Sequence, residues 1–102
     1  MDFSMTMTLD PPTAIVRANG ELDIFTARQV SRQLSEAIRS GCLRVLVDVG
    51  GVTFIDASAL GVFERARRDL AAQEGSMDFV STSPAFRRLC SLTGLDSVFQ
   101  LN

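Results

Sequence analysis

The chain has 102 residues, 46% of them hydrophobic and 22% charged, with a net charge of −2. That is the size and balance of one globular domain spanning 1–102, able to bury a core without disulfide staples, and it speaks against a nucleic-acid partner held by charge. With no His, Trp or Tyr, and Arg at all ten basic positions, it also excludes His-based triads and His metal sites, the P-loop lysine and Schiff-base chemistry, and it weakens any base-stacking proposal.

The first ten residues, MDFSMTMTLD, have no basic n-region and no signal-type apolar core, and no later apolar run is long enough to span a membrane. The expectation is a cytoplasmic protein with no membrane association. Met5 to Leu9 alternates apolar and polar residues, as a half-exposed strand does. Asp10-Pro11-Pro12 breaks it, and Ala14 to Ala18 reads as a second strand, so the pair predicts an antiparallel hairpin ending at Asn19-Gly20. From Thr26 to Ser40 the period turns helical. Val30, Leu34, Ala37 and Ile38 form one apolar stripe, and Gly41 suits the position just past the helix.

Leu43 to Val49 is a nearly unbroken apolar run, which predicts a central strand covered on both faces. Gly50 to Ile55 reads as a loop. A second helix follows from about Ala57 to Gln73, with Leu60, Phe63, Ala66, Leu70 and Ala71 facing the core and Gly75 stopping it. Met77 to Val80 is a further strand. Ser83-Pro84 opens a third helix, with Pro at the first helical position, Phe86, Leu89 and Cys90 inward, and an end at Thr93-Gly94. Val98 to Leu101 reads as a last short strand. The predicted order β-β-α-β-α-β-α-β is an α/β domain with a four-to-five-stranded mixed sheet and interspersed helices.

Little in this layout carries chemistry. Cys42 and Cys90 are far apart and form neither CxxC nor a zinc pattern, so two free thiols are expected. Gly50-Gly51 lacks the rest of a phosphate-binding loop and reads as a tight turn. Arg65, Arg67 and Arg68 share one amphipathic stretch, a solvated helix face or, less favoured, a phosphate patch. No set of residues resembles a metal or cofactor site. An enzyme or phosphocarrier built on Asp56 lacks the Lys, His and acidic cluster it would need.

Three ordered segments carry a specific signal. They are Gly20-Glu21-Leu22-Asp23 followed by Thr26-Ala27; Val47-Asp48-Val49-Gly50-Gly51-Val52-Thr53-Phe54-Ile55-Asp56-Ala57-Ser58-Ala59-Leu60-Gly61; and Ser83-Pro84-Ala85-Phe86-Arg87-Arg88-Leu89 closing with Thr93-Gly94-Leu95. In this order and spacing they resemble the STAS domain of bacterial anti-sigma factor antagonists. The resemblance implies the STAS fold and a binding role in transcription regulation, not catalysis. In that family the antagonist binds an anti-sigma factor, a serine kinase with the histidine-kinase-like ATPase fold, and so releases a sigma factor. The kinase phosphorylates the antagonist at the start of the second helix and ends the complex, and a phosphatase restores it: partner switching. The alternative the fold allows is a STAS subunit of a transporter complex or stress-sensing scaffold.

The resemblance implies partner-binding roles for Asp23, Thr26, Asp56, Ala57 and Ser58. Each also has a structural reading. Asp23 is a helix cap or a contact, with Thr26 the competing cap, and Asp56 is an N-cap that can also be a contact. The family's usual run is Asp-Ser-(Ser/Thr)-Gly-Leu, with the phosphate on the residue after Asp. Here that residue is Ala57, which has no hydroxyl. Ser58 is one position further on, about 100° around the helix, and is the nearby substitute for phosphorylation.

Overall fold

The computed structural model describes residues 2–101. Among these, four strands and four helices follow in the order β1 (Phe3–Asp10), β2 (Thr13–Leu22), α1 (Ile24–Arg39), β3 (Arg44–Ile55), α2 (Ala57–Ala71), β4 (Ser76–Thr82), α3 (Pro84–Thr93) and α4 (Leu95–Val98). The strands lie in sequence order in one mixed sheet. β1 and β2 form the expected hairpin, paired without a break from Phe3 opposite Gly20 to Asp10 opposite Thr13. β2, β3 and β4 run parallel. A parallel step needs a crossover. α1 and α2 supply the two crossovers and pack against each other on the same side of the sheet.

The helices cover one face. Ala14, Val16 and Ala18 of β2 and Val45, Val47 and Val49 of β3 are completely buried. Their neighbours Ile15 and Arg44 are exposed, and Leu46 and Asp48 are half-buried. The expectation that the run from Leu43 to Val49 is covered on both faces is thus corrected: Leu46 faces an open side, where Arg17 and Asp48 pair across strands at 3.1 Å. Against the inner face α1 buries Ala27, Val30, Leu34 and Ala37, with Ile38 half-buried. α2 buries Ala59, Leu60, Phe63, Ala66 and Leu70. Ala71 is exposed, one residue past the buried stripe, because the helix ends there.

Two further boundaries are corrected. Gly50 to Ile55 continues β3, and β2 reaches Leu22 beyond Asn19-Gly20. The glycines that read as a turn are strand residues beside two register shifts, where β3 carries extra residues relative to β2. Their missing Cβ atoms matter. One on Gly51 would collide with the Asn19 side chain, and one on Gly50 with Ser81 Oγ.

No strand forms at Val98–Leu101. The chain makes the single turn α4, and the amide of Leu101 donates to the Asp96 carbonyl at 2.8 Å. Gln100 has a φ of 58°, which a strand cannot hold. The turn buries Phe99 against Phe79, with ring centroids 4.7 Å apart. Phe63 and Phe86 complete the aromatic cluster, which ties α2, β4, α3 and the C-terminal turn together.

Both cysteines are free and fully buried. Burial pushes the Cys90 thiol up to about 11 from 9.0. The raised folded pKa favours the protonated thiol, so its stabilising contribution is complete below pH 9 and is lost as pH rises towards 11. Two results are expected: Ellman's reagent reacts slowly with the native protein and rapidly with both thiols in denaturant, and the urea midpoint falls between pH 9 and 11. Fast stoichiometric labelling of the native protein would contradict the buried placement.

Candidate partner-binding site

β2 and β3 end side by side while β4 ends earlier, opposite Val49, and each of the three runs directly into a helix through one capping residue. Leu22 leads through Asp23 into α1, Ile55 through Asp56 into α2, and Thr82 through Ser83 into α3. Leu22 and Ile55 are paired across β2 and β3, and the Asp56 amide donates to the Leu22 carbonyl at 3.1 Å. The first turns of α1 and α2 therefore start side by side.

Of the two cap candidates for α1, Asp23 is the cap. Its Oδ1 accepts from the amides of Phe25 at 2.9 Å and Thr26 at 3.0 Å. Thr26 closes the capping box instead: its hydroxyl accepts from the Asp23 amide at 2.9 Å and reaches the Glu21 carbonyl at 3.1 Å. The Thr26 hydroxyl is thus engaged inside the turn. The amide bond from Thr26, followed by that from Phe25, holds the Asp23 carboxyl below the ordinary carboxylate range, so it is ionised near neutral pH.

Asp56 caps α2. Its Oδ1 accepts from the Ala59 amide at 3.1 Å and from the Ser58 hydroxyl at 2.7 Å. Ala57 and Ser58 are both exposed, in the first turn beside the positive end of the helix dipole. Asp23, Asp56, Ala57 and Ser58 thus come together at one rigid edge, with Thr26 behind them.

Sequence reasoning missed the apolar part of this edge. Phe25 is 79% exposed, Ile24 55% and Phe54 49%. Phe25 lies off the stripe set by Ala27, Val30, Leu34 and Ala37, which was the available signal. Phe54 pairs with Glu21 just before the two caps. Each of these three exposed apolar side chains lies within two residues of a capping carboxylate.

Elsewhere the chemistry is structural. Arg67 bonds Glu64 at 2.7 Å and Arg68 approaches the same carboxylate at 4.0 Å, so two of the three arginines clustered on α2 are engaged with one carboxylate. Among the described residues no group of three His, Cys, Asp or Glu side chains is placed to hold a metal, and no helix is long and apolar enough to cross a membrane.

The model of the STAS domain family matches residues 4–102. The anti-sigma F factor antagonist of Paenibacillus polymyxa is 29% identical over 102 residues, covering 99% of this chain and 87% of that protein. Among solved structures, an anti-sigma factor antagonist from Mycobacterium paratuberculosis superposes with a TM-score of 0.84 at 23% identity, over 96% of this chain and 83% of that one. The anti-sigma factor antagonist SpoIIAA in its unphosphorylated form gives 0.81 at 25% identity, over 92% and 84%. The phosphorylated form of SpoIIAA from Bacillus gives 0.76 at 25% identity, over 92% and 86%.

Proposed function

The chain belongs to the STAS domain family, and we propose that it works there as an anti-sigma factor antagonist, binding an anti-sigma factor and thereby releasing a sigma factor in the cytoplasm. The observation that carries this reading is the shared edge of α1 and α2. Two capping carboxylates, of Asp23 and Asp56, stand beside the exposed Ile24, Phe25 and Phe54 on a scaffold fixed by strand pairing. Its composition suits docking rather than catalysis. The relatives named above are antagonists, which favours this reading over a subunit of a transporter or scaffold.

The partner we propose is a serine kinase of the histidine-kinase-like ATPase fold, with a phosphatase completing the family's cycle. In this chain the cycle is interrupted. Ala57 offers no acceptor hydroxyl, and the hydroxyl of Ser58 already donates to the Asp56 carboxylate. Phosphorylating Ser58 would remove that donor and break its bond to the Asp56 cap, in which residue 57 takes no part. The chain therefore acts as an antagonist that kinase activity does not switch off.

The test is displacement. Added to a preformed complex of the anti-sigma factor and sigma factor, the protein should release sigma on gel filtration whether or not ATP is present. Asp23→Ala loses both the contact and the cap, and should cost about 1 kcal/mol of folding stability. Asp23→Ser keeps a capping oxygen but removes the charge, so it should fold nearly as well as the parent. With Asp23→Ser, binding measured by calorimetry should still weaken, by about 1–3 kcal/mol if the carboxylate makes a buried contact. Failure of the parent protein to release sigma would sink the reading.

A further inference from the structure

β3 outlasts its outer neighbour. β4 separates from it after Val49 pairs with Thr82, and β3 continues to Ile55 with β2 alone beside it. α3 packs along β3 in the place β4 has left. The packing is incomplete. A groove of about 220 Å³ remains between the last residues of β3 and α3, bounded by Phe54, Ile55, Arg88, Leu89 and Leu92. Leu92 is 78% exposed, on the flank of a helix whose buried side is Phe86 and Cys90.

Arg88 is the one charged side chain in the lining, and the groove has no acidic wall. Its neighbour Arg87 is occupied by the Thr82 hydroxyl at 2.8 Å, whereas no hydrogen bond or ion pair is found for Arg88 among the described residues. The groove thus sets the apolar side chains of Phe54, Ile55, Leu89 and Leu92 beside Thr53 and one unengaged cation, Arg88. A nucleic acid would need a run of cations along its phosphates. A segment carrying an apolar side chain next to an Asp or Glu needs only these two features. The apolar side chain would fill the space between Phe54 and Leu92, and the carboxylate would meet the guanidinium in the paired geometry Arg favours.

We infer that this groove receives an apolar-acidic segment of the anti-sigma factor itself, extending the docking surface from the α1 and α2 caps onto α3. The inference rests on the proposed function. The continuity is covalent: Ile55 lines the groove and the next residue, Asp56, caps α2. A side groove holding one cation can tell partners apart, because a like charge on a wrong partner is penalised there.

The experiment is binding of the purified anti-sigma factor from the same organism to the parent protein and three variants. Arg88 and Leu92 lie on the solvent side of α3, so Arg88→Glu and Leu92→Ser should leave the melting temperature unchanged. Each should weaken the complex at least about tenfold, Arg88→Glu chiefly through faster dissociation. An acidic-to-Arg substitution in the anti-sigma factor that restores binding to Arg88→Glu, and not to Leu92→Ser, would identify the paired carboxylate. The third variant, Asp23→Ser, reports the cap face separately. If Asp23→Ser weakens the complex while Arg88→Glu and Leu92→Ser bind within about twofold of the parent, the groove inference is wrong and the cap face stands. If the parent protein does not bind at all, both fall.

Discussion

Phe63→Ala is expected to destabilise the domain by about 3–5 kcal/mol, the range for removing a fully buried aromatic ring from a packed core. Phe63 has no exposed surface, and its ring meets Phe79 and Phe86 edge-on at 5.8 and 5.9 Å. The loss is both the transfer of the ring and the cavity left among three elements that cannot collapse together. α2, β4 and α3 are each held by other contacts, so relaxation would have to move a strand. Total stability for a domain of this size is about 5–15 kcal/mol, so the variant should be marginal. Urea and thermal unfolding should show a drop in melting temperature of at least about 12 °C. Phe25→Ala is the matched control. Phe25 is 79% exposed. Its truncation should therefore change stability by less than about 0.5 kcal/mol while weakening the docking proposed for that face. A Phe63→Ala variant that melts like the parent would mean that the aromatic cluster does not hold these elements together.

The contrast between those phenylalanines shows what the sequence could and could not reveal. Phe63 repeats at helical spacing with Leu60, Ala66 and Leu70, and periodicity alone assigns it to the core. The starts of α2 and α3 were also legible, because Asp56 and Ser83 are short polar residues placed immediately before apolar-periodic runs, whereas the start of α1 was left between Asp23 and Thr26 and lies at Ile24. Periodicity puts Phe25 off the core stripe of α1 but does not say what it meets, and the meaning of Phe25, Phe54 and Leu92 depends on which ends of which elements meet in space. The same gap explains the misread strand. Gly50-Gly51 carries a turn signal, but the structure places both in β3, where the side chains of Asn19 and Ser81, both remote in sequence, come close to them. The nearly unbroken apolar run at Leu43–Val49 masked an alternation, since Leu46 is as apolar as Val47 yet faces the other side with Arg44 and Asp48. Val98 to Leu101 failed for a local reason with a distant cause: the spacing suits a short strand, but the buried place for Phe99 beside Phe79 is reached only through a turn.

Ala57→Ser should convert the protein into one that the kinase partner proposed for it can switch off. Residue 57 is the first residue of α2, exposed, and adjacent to the Asp56 cap. The two bonds to Asp56 Oδ1 come from Ala59 and Ser58, so the cap is complete without any group at position 57. Unpaired amides and the helix dipole at this end tolerate a phosphate, so the fold should survive modification. The surface would not be equivalent. About two negative charges and their bulk would stand beside Asp56 and close to Asp23, on the face meant to dock. With the anti-sigma kinase and ATP, the variant should gain one phosphate at position 57, seen by intact mass and site mapping, and should then lose the ability to release sigma. The parent protein under the same conditions should remain unmodified and active. Ser58→Ala in the Ala57→Ser background should still be phosphorylated, which separates position 57 from its neighbour. Phosphate mapped to Ser83 or Ser91 with residue 57 untouched would show that the kinase approaches another part of the molecule. Phosphate on Ser58 in the parent protein would show that the bond to Asp56 does not protect that hydroxyl, and the antagonist would be switchable after all.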